Sequence, residues 1–183
     1  DPFGHMRQTR RNKDLRVRIQ VELKDTLENQ TKTISVQTSS GERSTVEVQI
    51  PRGVTTGTQI KYTGLGDNLF TTLPRGDLYV QFEILADPKF TVVDTDLHTN
   101  LEISSLEAIV GCDKLVTGID GKTFTVSIPP NTQPNAKLRI RNEGLYILNH
   151  NVRGNIIINV ILVTPTLNEQ QLEVIRSILQ SNN

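Results

Sequence analysis

Few residues in this chain have the type and spacing to do chemistry. Cys112 is the one cysteine, so neither a disulfide framework nor a thiolate zinc cluster can be assembled. It follows Gly111 on a stretch that reads as loop, where a quiet, partly buried thiol is the ordinary role and a nucleophile would need a base beside it. The histidines His5, His98 and His150 stand apart from the spaced Cys, His or Asp neighbours that a metal ion requires. No Gly-Xaa-Ser-Xaa-Gly elbow, phosphate-binding loop or zinc-protease helix is present. Gly64-Leu65-Gly66 is too short a signal for a nucleotide loop. The chain reads as a non-enzyme, with no catalytic residue, no metal and no cofactor, and a binding module is the better class.

Composition narrows the partners. Lys plus Arg and Asp plus Glu both number 20 among 183 residues, so there is no basic surplus to neutralise phosphates and nucleic acid is not expected. Trp is absent and other aromatics are scarce, which leaves little to stack on bases. No apolar run reaches membrane-spanning length and no secretory signal is seen, so no membrane partner is expected and a reducing, cytoplasmic setting is. Asp1-Pro2-Phe3-Gly4-His5-Met6 reads as the scar of an expression vector, with the missing part of a longer protein upstream. The basic run Arg7-Gln8-Thr9-Arg10-Arg11-Asn12-Lys13 reads as a solvated linker end, so residues 1–13 are set outside the folded domains.

The elements show through a repeat. Ile50-Pro51, Gly66 and Arg75-Gly76-Asp77-Leu78 recur as Ile128-Pro129, Gly144 and Arg153-Gly154-Asn155-Ile156 at a constant offset of 78. Self-similarity at this period means two copies of one β-rich module, not a solenoid of short repeats. The opening pair Asp14-Leu15 returns as Asp96-Leu97 at an offset of 82. The difference of four residues is assigned to a shorter hairpin turn at Asp120-Gly121 than at Ser39–Ser44.

Period-2 alternation marks the strands. Leu15, Val17, Ile19, Val21 and Leu23 occupy every second position, giving one buried and one wet face. Ile34 and Val36 lie on a second strand, and Val46, Val48 and Ile50 on a third that Pro51 ends. A short strand is expected around Ile60 and Tyr62, and Leu78, Val80, Phe82 and Ile84 form the last strand of the module. Residues 87–95 read as the boundary. Single helical turns are expected at Asp25–Glu28 and at 105–110.

The end changes character. Asn168 and Gln171 stand at N-cap and N3, with Leu167 and Leu172 spaced for a hydrophobic staple. Leu172, Ile175 and Leu179 share one helical stripe over 169–180. That stripe can pack on its own module or on a second copy of the chain. The fold class expected is mainly β: two tandem, internally repeated β-sandwich or barrel-like domains, 14–90 and 91–166, followed by a short carboxy-terminal helix in 167–183.

Several passages match a known family in order and spacing. Asp14-Leu15-Arg16-Val17, Val21-Glu22-Leu23, Ile50-Pro51-Arg52-Gly53-Val54, Gly64-Leu65-Gly66-Asp67 and Arg75-Gly76-Asp77-Leu78 resemble the first carboxy-terminal β domain of DnaJ-type co-chaperones. Asp87-Pro88-Lys89-Phe90, Ser105–Gly111, Asp120-Gly121-Lys122, Ile128-Pro129 and Arg153-Gly154-Asn155-Ile156 resemble its junction and second β domain. The chain departs from the family pattern at Asp87-Pro88, where His-Pro is usual. The J domain and the cysteine-rich zinc module are not in the sequence, so the resemblance is to the zinc-free subclass.

The resemblance implies a client-holding function. Extended segments of non-native proteins would bind an apolar groove mapped by motif to Val21, Leu23, Ile34, Val36 and Phe82, residues whose alternation alone reads as plain core. It further implies a homodimer through the terminal helix, at Leu172, Ile175 and Leu179, and transfer of the client to a DnaK-type ATPase chaperone. Lys32 matches a basic position for the acidic tail of that ATPase, beside the plain reading of a solvated lysine. The competing class is a structural tandem β-sandwich that uses its sheet edges for subunit assembly.

Overall fold

A computed structural model of the chain describes residues 10–183. The residues read as a vector scar, and the first three of the basic run, lie outside the described residues. The fold is mainly β, in several small sheets with no closed barrel among the described residues. The chain divides into two compact units. The first runs as far as Leu97 and also takes in Arg141–Asn155; the second comprises His98–Ile140 and Ile156–Asn183.

In the first unit β1 (Leu15–Val21) lies parallel to β5 (Leu78–Ile84), Leu15 opposite Leu78 and Val21 opposite Ile84. β4 (Gln59–Tyr62) pairs antiparallel with the other edge of β5. Parallel neighbours need a long crossover, and β2 (Gln30–Gln37), β3 (Arg43–Ile50) and β4 lie along it. β2 and β3 form a two-stranded antiparallel sheet, with Ile34 opposite Val46. Alternation turns the apolar positions of both sheets onto one core, where Val21, Val36, Val48, Ile50, Leu78, Val80 and Phe82 are each at most 2% exposed. Each such side chain contributes roughly 1.5–3 kcal/mol by leaving water.

Leu23 departs from the expected alternation. β1 stops at Val21, and Leu23 opens a 3-10 turn, Leu23–Leu27. The Thr26 hydroxyl donates to the Leu23 carbonyl at 2.7 Å, and the Thr26 carbonyl accepts the Gly53 N–H at 2.9 Å. With its backbone polar groups met internally, the turn can be buried.

The second unit repeats the plan. β7 (Asp96–Ser104) leads into α1 (Ser105–Val110), the counterpart of the 3-10 turn, with the Ser104 hydroxyl accepting the Glu107 N–H at 3.0 Å. β8 (Cys112–Thr117) and β9 (Thr123–Ile128) form the hairpin, and β10 (Lys137–Ile140), β11 (Ile156–Val163) and β7 are ordered as β4, β5 and β1 are. One further strand, β6 (Thr91–Val93), lies inside the stretch read as boundary and meets β7 through a turn at Asp94.

The four residues lost between the copies do not come from the turn. Both turns close alike: Thr38 and Gly118 N–H donate to the Glu42 and Lys122 carbonyls at 2.9 and 2.7 Å, and Gly41 and Gly121 share φ near 85°. The arms shorten instead, from 8 residues each in β2 and β3 to 6 each in β8 and β9. Two residues per arm preserve the period of 2, so both arms keep their inward faces.

The strongest echo of the repeat is a backbone clasp. Asp14 accepts the Asp77 N–H at 2.8 Å while Asp77 accepts the Gly64 N–H at 2.9 Å. In the second copy Asp96 accepts the Asn155 N–H at 2.7 Å and Asn155 accepts the Asn142 N–H at 3.1 Å. Gly76 and Gly154 are required by close approach, since a Cβ would overlap the carbonyl oxygens of Lys13 and Thr95. The clasp draws in Asn12, which sits in the run read as a solvated linker but is only 3% exposed. Its side chain donates to the Phe70, Leu73 and Pro74 carbonyls and accepts the Phe70 N–H at 2.9 Å.

Candidate functional site

The residues with intrinsic reactivity are placed for structure. The Cys112 thiol is pushed up by burial and by the neighbouring Glu107 carboxylate, which disfavours the thiolate. Glu107 is itself held low by Lys114, whose ammonium lies 2.7 Å away. Among the described residues no three His, Cys, Asp or Glu side chains come together as a metal site. Asp77, 4% exposed, is held below the usual carboxylate range by the Gly64 N–H and then by Lys61 at 3.3 Å, with Arg11 adding to the pull at 3.4 Å.

The five apolar residues mapped to a groove divide between core and surface. Val21, Val36 and Phe82 are each 1% exposed and belong to the core of the first unit, against which the half-buried Ile34 packs. Leu23, at 4%, stands elsewhere, in the wall of a cavity of about 620 Å³. With it in that wall are Val54, Ile84, Leu85, Phe90 and Leu145.

Phe90, Leu85 and Val54 escape the sequence reading because none sits at an alternating strand position. Val54 follows the Pro51-Arg52-Gly53 turn, and Leu85 breaks alternation by following Ile84. Phe90 comes after the Asp87-Pro88 break, where Asp87 accepts the Lys89 and Phe90 N–H groups at 2.8 and 3.0 Å. The usable signal was the pair Ile84-Leu85, two apolar residues in succession where the pattern allows one. The Leu85 N–H donates to the Val21 carbonyl at 2.9 Å, which carries the β1–β5 pairing one residue past the end of β5.

β2 pairs with β3 alone among the described strands, so its other edge keeps an unpaired row of backbone groups. Lys32, midway along β2, reaches the Gln20 carbonyl at 3.5 Å. It helps lower the Glu22 carboxyl, for which Lys24 is the larger cause. Lys32 is therefore within Coulombic reach of an acidic side chain.

The terminal helix α2 (Glu169–Ser181) opens with the expected capping box: Asn168 accepts the Gln171 N–H at 2.9 Å and Gln171 accepts the Asn168 N–H at 3.0 Å. None of its residues is buried. Leu172 and Ile175 are half-buried, while Val174, Ile178 and Leu179 are 51–63% exposed.

One module written twice, with a shallow apolar cavity, an open strand edge and an exposed terminal helix, defines a duplicated β protein. The chain belongs to the DnaJ C-terminal domain family, whose model matches residues 15–165. That family is one of chaperones and not of enzymes. Curated relatives include the chaperone protein DnaJ of Synechococcus sp., 34% identical over 137 residues, which are 74% of this chain and 36% of that protein. That of Methanosarcina acetivorans is 33% identical over 135 residues, 73% of this chain and 35% of its own. That of Orientia tsutsugamushi is 37% identical over 129 residues, 70% and 34% respectively. The chain spans about a third of the length of these relatives.

Proposed function

We propose that this chain is the client-holding and dimerising arm of a cytoplasmic co-chaperone of the zinc-free subclass. The first domain, 14–90, holds extended apolar segments of non-native proteins, the second, 91–166, spaces the arm, and the helix in 167–183 pairs with a second copy through Leu172, Ile175 and Leu179. Clients pass from it to a DnaK-type ATPase, whose acidic tail meets Lys32. No bond is made or broken on the chain and no cofactor is used.

The observation that carries this reading is the cavity at Leu23, apolar over most of its wall and about 620 Å³ in volume. Sites of a few hundred Å³ with apolar walls bind through desolvation of side chains. Leu23 touches the client directly. Val54 and Ile84 belong both to the wall and to the packing of the core that contains Val21, Ile34, Val36 and Phe82, so these four brace the wall from behind. The open edge of β2 offers a second kind of hold, since an extended peptide can add to it as a strand. A single shallow site holds at around micromolar strength, about −8 kcal/mol. Two arms on one client raise the effective strength by a further ~10² when the client spans both.

The test is titration of the chain into a fluorescein-labelled, extended apolar peptide, read by anisotropy, with amide exchange locating the contact. Micromolar binding that protects the Leu23–Leu27 turn and the Leu85–Phe90 segment supports the reading. A folded chain that leaves the peptide tumbling freely at ~100 μM refutes it.

A further inference from the structure

We propose that the cavity at Leu23 selects apolar segments flanked by lysine or arginine. This deepens the client-holding reading and rests on it. The cavity wall is apolar at Leu23, Ile84 and Phe90, but it also includes Asp87 and Asp94, and among the described residues no lysine or arginine lines it. Asp87 is partly exposed and Asp94 exposed, which puts both on the solvent side of the cavity and not on its floor. The carboxylate of Asp87 is fixed by local backbone chemistry. Asp87 is held beside Phe90 by accepting the Lys89 and Phe90 N–H groups at 2.8 and 3.0 Å. Asp94 occupies the turn into β7 with φ at +55°. Lys89 holds its ammonium 5.3 Å from the centroid of the Phe90 ring.

The consequence for a client follows from where its charges must lie. Its apolar side chains enter the cavity while the residues on either side stay at the mouth, within reach of Asp87 and Asp94. A lysine or arginine there gains an exposed ion pair, whereas a glutamate meets like charge. Pairs of this kind are individually weak, so the preference expected over a neutral flank is roughly threefold to tenfold. It should fade near 1 M salt, where screening acts over about 3 Å.

The experiment uses three labelled peptides with one apolar centre and flanks of lysine, serine or glutamate, titrated with the chain and with an Asp87→Asn/Asp94→Asn variant. Asn keeps the side-chain acceptor at position 87 and tolerates positive φ at position 94, so the fold is retained and a melting curve checks it. Expected is the order lysine, serine, glutamate at low salt, collapsing to equal affinities in the variant and at 1 M salt. Equal binding of all three by the native chain overturns the flank preference and leaves the client site standing. An order that persists unchanged in the variant places the selectivity elsewhere and overturns the assignment to Asp87 and Asp94. Failure of all three to bind overturns the client site itself, and this inference with it.

Discussion

The carboxylate of Asp14 accepts the backbone N–H of Asp77 at 2.8 Å across 63 residues of chain, joining the start of β1 to the start of β5. Asp96 and Asn155 repeat that bond at 2.7 Å in the second copy. In each copy the clasp fixes where the parallel pair of strands begins, and a neighbouring glycine lets the backbones approach.

Gly76→Ala and Gly154→Ala should therefore be equally harmful, although neither residue is in a strand. An added Cβ overlaps a carbonyl oxygen of a neighbouring backbone, Lys13 in one copy and Thr95 in the other. Overpacking of this kind costs about 1–3 kcal/mol, so each variant should melt roughly 3–10 °C lower. Gly41→Ala, with open space around its Cβ but φ at +85°, should cost less. Thermal melts of the three variants check the order.

The copies differ in one respect that pH can read. Asp77 is charged where Asn155 is neutral, and its folded carboxyl is held low by the Gly64 N–H and the Lys61 and Arg11 cations. A depressed folded value means that its stabilisation is present above the ordinary carboxylate range near pH 4 and is lost as pH falls through the folded value. Asp77→Asn, which copies the second module, should thus be less stable than the native chain at pH 7, and the gap should close as pH falls below the ordinary carboxylate range. Urea titrations across that range test it; a gap independent of pH would remove the ionic contribution.

Much of this was legible from the residues, and the failures have physical causes. Alternation located the five strands of the first module, because an inward face must be apolar at every second position, and the repeat carried the same plan into the second. The three-residue β6 is too short to show a period. The alternation at Leu23 misled, since a 3-10 turn buried by its own hydrogen bonds can carry an apolar residue as a strand does. Asn12 reads as linker in the sequence because its burial depends on carbonyls 58 to 62 residues away, which no local pattern announces. The cavity was invisible for a similar reason: its walls come from turns and strand ends, where periodicity stops.

Leu85→Ser and Phe82→Ala should separate binding from stability. Leu85 is 40% exposed in the cavity wall, so Leu85→Ser should weaken an apolar peptide about threefold to tenfold with a nearly unchanged melt. Phe82 is 1% exposed, and its truncation should cost about 3–5 kcal/mol in unfolding free energy. Peptide anisotropy and urea denaturation on the same two proteins read both effects.

The uncovered face of α2 gives a prediction about assembly. Leu179, 63% exposed, shares the stripe of Leu172 and Ile175. A paired Ile175→Glu/Leu179→Glu variant should halve the mass in solution while its melt stays within a few degrees of the native chain. Light scattering after gel filtration checks it, and an unchanged mass would remove the helix from any dimer contact.

Suppression of aggregation is the most direct measure of client holding. A chemically denatured test protein is diluted into buffer with the native chain or with Leu85→Ser, light scattering is followed, and the mass of the chain is determined alongside. Expected is concentration-dependent suppression by the native chain that weakens in Leu85→Ser. A folded, dimeric chain that leaves aggregation unchanged at several-fold excess would contradict client holding and favour a module whose edges serve assembly alone.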